Sequence, residues 1–120
     1  NLFKGPIPDF VWEFEDMVYM DLAYNFFTGT IPDTVHLTEP NLRVLFLENN
    51  DLASTIPNTF GQLDWKRLHL DGNKFTGPVP SDINAPRIEE IMLHNNQLTG
   101  AFPAASFATE FAGKHSKLRV

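Results

Sequence analysis

The stretch NKFTGPVP, Asn73 to Pro80, decides the reading because the chain keeps returning to it. NLFKGPIP begins at Asn1, NFFTGTIP at Asn25, NDLASTIP at Asn50 and NQLTGAFP at Asn96. The leading asparagines stand 24, 25, 23 and 23 residues apart. Two residues after each comes Phe3, Phe27, Leu52, Phe75 or Leu98, and four after comes Gly5, Gly29, Ser54, Gly77 or Gly100. An apolar–Pro pair closes every phrase. Self-similarity at such a period marks a chain of stacked units, each burying its apolar side only against its neighbours.

Working outward, apolar residues also fall eight, five and three positions before each asparagine: Met17, Met20, Leu22; Leu42, Leu45, Leu47; Trp65, Leu68, Leu70; Ile88, Ile91, Leu93. The pattern is L-x-x-L-x-L-x-x-N-x-L. Its x-L-x-L-x portion alternates with period two, which predicts a short strand with the Leu-type residues inward. Successive strands then lie parallel, about 4.8 Å apart. Each asparagine falls where the chain leaves the strand. Asn1, Asn25, Asn50, Asn73 and Asn96 are expected to form a structural ladder, Asn stacked on Asn. Their amides would satisfy backbone groups of the turn and of the next repeat. The Phe and Leu residues two positions on should form an inner spine. The Thr-Gly-x-Ile-Pro portion reads as a second extended segment, with Gly permitting the bend and Pro disfavouring helix before it. Val11, Val35, Phe60 and Ile83 should fill the core on the return side, in single turns of helix or 3₁₀. Trp65 takes a Leu-type core position, whereas Trp12 is open between core and surface.

The (L/F)-T-G-x-(I/V)-P extension resembles the plant-type class of leucine-rich repeats. That class occurs in receptor-like kinases, receptor-like proteins and polygalacturonase inhibitors of plants, and in related algal proteins. The resemblance implies an α/β repeat solenoid: a curved leucine-rich repeat horseshoe segment with a parallel concave sheet and short helical or 3₁₀ turns on the convex side. Residues 1–120 are expected to form one solenoid segment of about five repeats, truncated at both ends. Three features depart from the class. Its cysteine-bearing caps are absent, Ser54 stands where Gly is usual, and residues 104–116 form a longer stretch, read as an insertion or convex loop. The pattern resumes at Lys117-Leu118-Arg119-Val120, which echoes Asn41-Leu42-Arg43-Val44.

The resemblance further implies that ligands meet the concave sheet, whose outward positions follow from the register. Six before the asparagines stand Tyr19, Val44, Arg67 and Glu90; four before, Asp21, Phe46, His69 and Met92. Two before stand Ala23, Glu48, Asp71 and His94; directly before, Tyr24, Asn49, Gly72 and Asn95. The candidate binding residues are Tyr19, Asp21, Tyr24, Phe46, Glu48, Arg67, His69, Asp71, Glu90, Met92 and His94. Tyr19, Phe46, Met92 and Tyr24 are the kind of exposed apolar side chain that anchors protein partners. Glu48, Asp71 and His94, with His69 nearby, could hold a divalent metal or titrate near neutrality, and equally read as a solvated polar face. No metal or cofactor is assigned. Arg67 with Glu90, and Lys66 with Glu89, are expected as ion pairs between repeats.

Composition narrows the function. A net charge of −6 argues against nucleic acid and against an anionic membrane surface. The absence of cysteine excludes disulfides, thiolate zinc sites and a cysteine nucleophile in this stretch. No apolar run reaches the about 20 residues of a membrane span. Walker-type, G-x-S-x-G and H-E-x-x-H motifs are absent, so no enzyme is expected here. The expected function is recognition of a protein, peptide or glycan on the concave face, as part of a receptor-like or inhibitor-like protein. The alternative is a structural scaffold subunit of a larger assembly. The family implies an extracellular, secretory-pathway or cell-surface setting, although the chain has no N-x-[ST] sequon. An organelle lumen or a membrane-associated complex is the other setting considered.

Overall fold

The computed structural model of the protein describes residues 1–35, 41–83, 88–103 and 117–120. In chain order the elements are β1 (Lys4–Pro6), a 3₁₀ turn (Asp9–Glu13), β2 (Tyr19–Asp21), β3 (Phe26–Thr28), β4 (Val44–Phe46) and β5 (Ala53–Thr55). A second 3₁₀ turn (Asn58–Gln62), β6 (Arg67–His69), β7 (Lys74–Pro78), β8 (Glu90–Met92), β9 (Gln97–Thr99) and β10 (Lys117–Arg119) follow. Every strand pairing is parallel. One five-stranded sheet runs β10-β8-β6-β4-β2, and the repeat period carries the chain from each of its strands to the next.

The register follows the repeat. Met20, Leu45, Leu68, Ile91 and Leu118 lie side by side as the middle residues of the five strands. The first four of these are buried, as are Leu42, Leu47, Trp65, Leu70, Ile88 and Leu93. Full burial of each such side chain stabilises the fold by about 1.5–3 kcal/mol. The indole Nε1–H of Trp65 donates to the Phe60 carbonyl at 3.0 Å, and the two rings lie 5.0 Å apart. A tryptophan can therefore occupy a Leu position without leaving its donor unmet.

The ladder asparagines are satisfied by backbone, and their reach is toward the preceding repeat rather than the next. The Asn50 Oδ1 accepts the Phe27 N–H at 3.0 Å, and its Nδ2 donates to the Leu22 carbonyl at 3.0 Å. Asn73 likewise joins Leu52 N–H and Leu47 carbonyl, and Asn96 joins Phe75 N–H and Leu70 carbonyl. Asn25 accepts from Phe3 N–H at 3.2 Å. The ladder thus runs from each side chain to the neighbouring backbone, not from Asn to Asn. Asn1 is exposed at the edge of the stack.

A second set of strands lines one flank as β1-β3 and β5-β7-β9. Between β3 and β5, backbone bonds from Asp51 N–H to Phe27 O and from Ala53 N–H to Gly29 O bridge the two sets. The position four after each asparagine has positive φ throughout, at Gly5, Gly29, Ser54, Gly77 and Gly100. The bend therefore needs a left-handed residue, and Ser54 adopts that conformation at φ 70° without being glycine.

Four expectations change at this level. Phe3 is exposed, because it lies at the end of the spine with only Phe27 to stack on, at 6.2 Å. Met17, Leu22 and Leu98, near the two ends of the stack, are only partly buried against the core. On the first return segment Val11 is half-buried while Trp12 is buried, so the larger side chain takes the core place there. Lys117 pairs with Glu90, which aligns Lys117 with Val44 rather than with Asn41. The apolar spacing explains that shift, since Leu118 and Val120 repeat the two-residue step of Leu45 and Leu47. The expected insertion at 104–116 lies outside the described residues.

Candidate binding face

Each strand of the five-stranded sheet puts its middle residue in the core and its flanking residues on the outer face. Tyr19, Val44, Arg67 and Glu90 therefore form one outward column, and Asp21, Phe46, His69 and Met92 a second. Past the strand ends Ala23, Glu48, Asp71 and His94 form a third. Ala23 is buried in it, whereas Glu48, Asp71 and His94 are half-buried. The residues directly before the asparagines are corner residues: Tyr24, Asn49, Gly72 and Asn95 all have positive φ. Tyr24 is exposed at its corner, outside the ring contacts made among the described residues on the sheet.

An aromatic strip crosses the first three strands. Tyr19 and Phe46 meet in a T-shaped contact at 5.7 Å between centroids, and Phe46 lies 4.5 Å from the His69 imidazole with the rings tilted by 36°. Phe46 is consequently half-buried rather than exposed, while Tyr19 keeps 56% of its surface. Met92, next in the column, is half-buried. The Tyr19 hydroxyl lies 3.5 Å from Asp21 Oδ2, and Asp21 Oδ1 accepts the Ala23 N–H at 3.0 Å. That second bond fixes the Asp21 carboxylate at the strand exit.

Acidic groups border the strip. His69 Nε2 lies 2.9 Å from Glu90 Oε2, and its Nδ1 lies 3.9 Å from Glu48 Oε1. His94 Nε2 lies 3.5 Å from Asp71 Oδ2. Burial pulls the His69 imidazole down, but Glu48 and Glu90, through hydrogen bonding and charge, outweigh it and raise its pKa above the ordinary 6.5. The expected pair of Arg67 with Glu90 is not formed. Arg67 reaches Glu89 at 3.2 Å, and Lys66 joins the same carboxylate at 3.6 Å as expected. Glu90 turns instead to the half-buried imidazole, where a charged partner is less screened than at the exposed guanidinium. Among the described residues no group of three or more His, Asp or Glu is placed to hold a metal ion. The arrangement can titrate, offer aromatic surface and attract positive charge.

Known proteins share this repeat. Residues 41–63 and 65–85 each match the family model described as Leucine Rich Repeat. Receptor-like protein 32 of Arabidopsis thaliana is 33% identical over 114 residues, covering 89% of this chain and 13% of its own length. Receptor like protein 24 of the same plant is 37% identical over 90 residues, covering 72% of this chain and 10% of its own length. The chain belongs to the plant-type leucine-rich repeat family. It spans roughly a tenth of the length of these receptor-like relatives. The ectodomain of the Arabidopsis thaliana membrane receptor kinase GASSHO1/SCHENGEN3, solved in complex with CASPARIAN STRIP INTEGRITY FACTOR 2, superimposes with a TM-score of 0.79. It is 30% identical to this chain, covering 86% of it and 12% of that structure. The Arabidopsis receptor kinase HAESA superimposes at 0.87 over the whole chain and 20% of its own, at 24% identity, which is a likeness of fold. Among the described residues of this leucine-rich repeat segment no helix is long and apolar enough to cross a membrane.

Proposed function

We propose that this chain is a ligand-recognition segment of a receptor-like protein, binding a peptide or protein partner on the outward face of its five-stranded sheet. The observation that carries this reading is the continuous contact Tyr19–Phe46–His69 across three adjacent strands. Rigid aromatic surface loses little side-chain entropy on binding and is the usual anchor of a protein interface. The receptor-like relatives and the ligand-bound GASSHO1/SCHENGEN3 ectodomain support a role in recognition and a site outside the cell. A glycan ligand would also find stacking surface on Tyr19 and Phe46.

The reading is tested by selecting a displayed random-peptide library on the full-length protein that contains this segment. Clones that bind it and fail to bind the Phe46→Asp variant support the proposal. Clones that bind both proteins equally well overturn it, and leave the scaffold role as the better account.

A further inference from the structure

Resting on that reading, we propose that the partner segment is basic: an arginine or lysine side chain lies along the Phe46–His69 rings, with its charge against Glu48 and Asp71. Charge complementarity carries the assignment. Over the three outward columns of β2, β4, β6, β8 and their exits, Asp21, Glu48, Asp71 and Glu90 are acidic. The fixed cation among them is Arg67, and Glu89 holds it at 3.2 Å. The centre of the face is therefore negative. On β10, Lys117 stands opposite Glu90 and Arg119 opposite Met92, so positive charge begins at the β8 side of the face.

The acids are also placed where charge counts. The side chains of Glu48, Asp71 and Glu90 retain only 15%, 16% and 23% of their exposure, so water screens them poorly. The second oxygen of Glu48 is buried with no hydrogen-bond partner among the described residues, and so is Nδ1 of His94. A buried carboxylate oxygen without a donor leaves the Glu48 charge poorly compensated, and an incoming guanidinium or ammonium beside the carboxylate would balance it. The Phe46 face beside it offers cation–π attraction to the same group.

His69 already occupies part of this role as an internal cation. It packs on Phe46 from β4 and faces Glu48 beyond β4 and Glu90 on β8. Arg67 on its own strand and Asp71 just past that strand's end flank it, paired with Glu89 and His94 respectively. When the imidazole is protonated it neutralises part of the acidic site. When it is neutral, Glu48 loses that counter-charge and attracts an external cation. Affinity for a basic segment should therefore rise with pH through the neutral range, as long as His69 is present.

The test titrates three acetylated, amidated peptides of sequence GFXGXFG, with X as arginine, citrulline or glutamate, into the full-length protein by isothermal calorimetry at low salt. The arginine peptide should bind about tenfold more tightly than the neutral, isosteric citrulline peptide, the value of one well-placed charge contact. The glutamate peptide should bind more weakly still. Glu48→Gln with Asp71→Asn should bring the affinity of the arginine peptide down to that of the citrulline peptide. His69→Asn should flatten the pH dependence. Equal affinity for arginine and citrulline peptides overturns the basic-partner inference and leaves the aromatic recognition reading intact. Absence of binding by all three overturns both.

Discussion

The Asn73 side chain closes a two-point clasp on Leu47 and Leu52 of the preceding repeat. It donates to the Leu47 carbonyl at 2.8 Å and accepts the Leu52 N–H at 3.0 Å. It also donates to the Leu70 carbonyl of its own turn at 3.2 Å. Asn73→Ala would leave buried backbone groups on both repeats without partners. That should cost about 2–4 kcal/mol. Guanidinium denaturation and faster hydrogen exchange at the Leu52 amide would register it. Asn1→Ala, at the exposed edge, should change neither, and a comparable loss there would contradict the ladder as the cause.

Gly61 is required by close approach rather than by dihedral angle. A Cβ on it would lie 2.8 Å from Asp82 Cγ and 2.9 Å from the Asp82 carbonyl oxygen. The 3₁₀ turn Asn58–Gln62 and the next return segment therefore meet through this hydrogen atom. Gly61→Ala should destabilise the stack by about 1–3 kcal/mol, the range for overpacking. At Gly5 a Cβ meets nothing within 4 Å, and only its positive φ resists alanine. A Gly61→Ala protein as stable as wild type would mean the Asp82 backbone yields freely.

These contacts show what was legible in the sequence. The strand columns followed from Leu spacing alone, because a parallel stack with one residue set buried fixes register. Thus Met20, Leu45, Leu68 and Ile91 fell where the pattern put them. The residues directly before the asparagines, Tyr24, Asn49, Gly72 and Asn95, were read as outward positions and are left-handed corners, a role to which two Asn and one Gly at a single position point. Side-chain pairing was not. Columns place Arg67 beside Glu90, but which carboxylate each cation takes depends on rotamers and burial, and His69 captured Glu90. Trp12 is buried where Val11 is only partly buried against the core for a similar reason: repeat spacing cannot weigh two adjacent apolar side chains of unequal size.

Ser54 occupies a left-handed position that is glycine in the other four phrases, at φ 70°. For a residue with a Cβ this conformation costs roughly 1–2 kcal/mol. Ser54→Gly relieves that strain and gives back about 0.4–1 kcal/mol through the freer unfolded chain. The net expectation is a gain between about zero and 1.5 kcal/mol. Ser54→Val, β-branched at the same angle, should destabilise. The denaturation midpoints of the two variants should fall on opposite sides of wild type, or at least in that order. The reverse order would show that the serine makes a contribution beyond the bend.

The contact of His69 with Glu90 and Glu48 makes stability depend on pH. Its pKa in the folded chain is raised above the ordinary imidazole value, so the folded chain holds the proton more tightly than the unfolded one. Its contribution is then fully present below about pH 6.5 and is lost as pH rises through the raised folded-state value. His69→Gln, which retains hydrogen-bonding capacity but no titration, isolates that term. The denaturation midpoint of wild type minus that of His69→Gln should be larger at about pH 5.5 than at about pH 8.5. Unrelated titrating groups cancel in this difference. A difference that grows on the alkaline side would mean that burial, which favours the neutral imidazole, outweighs the two carboxylates after all.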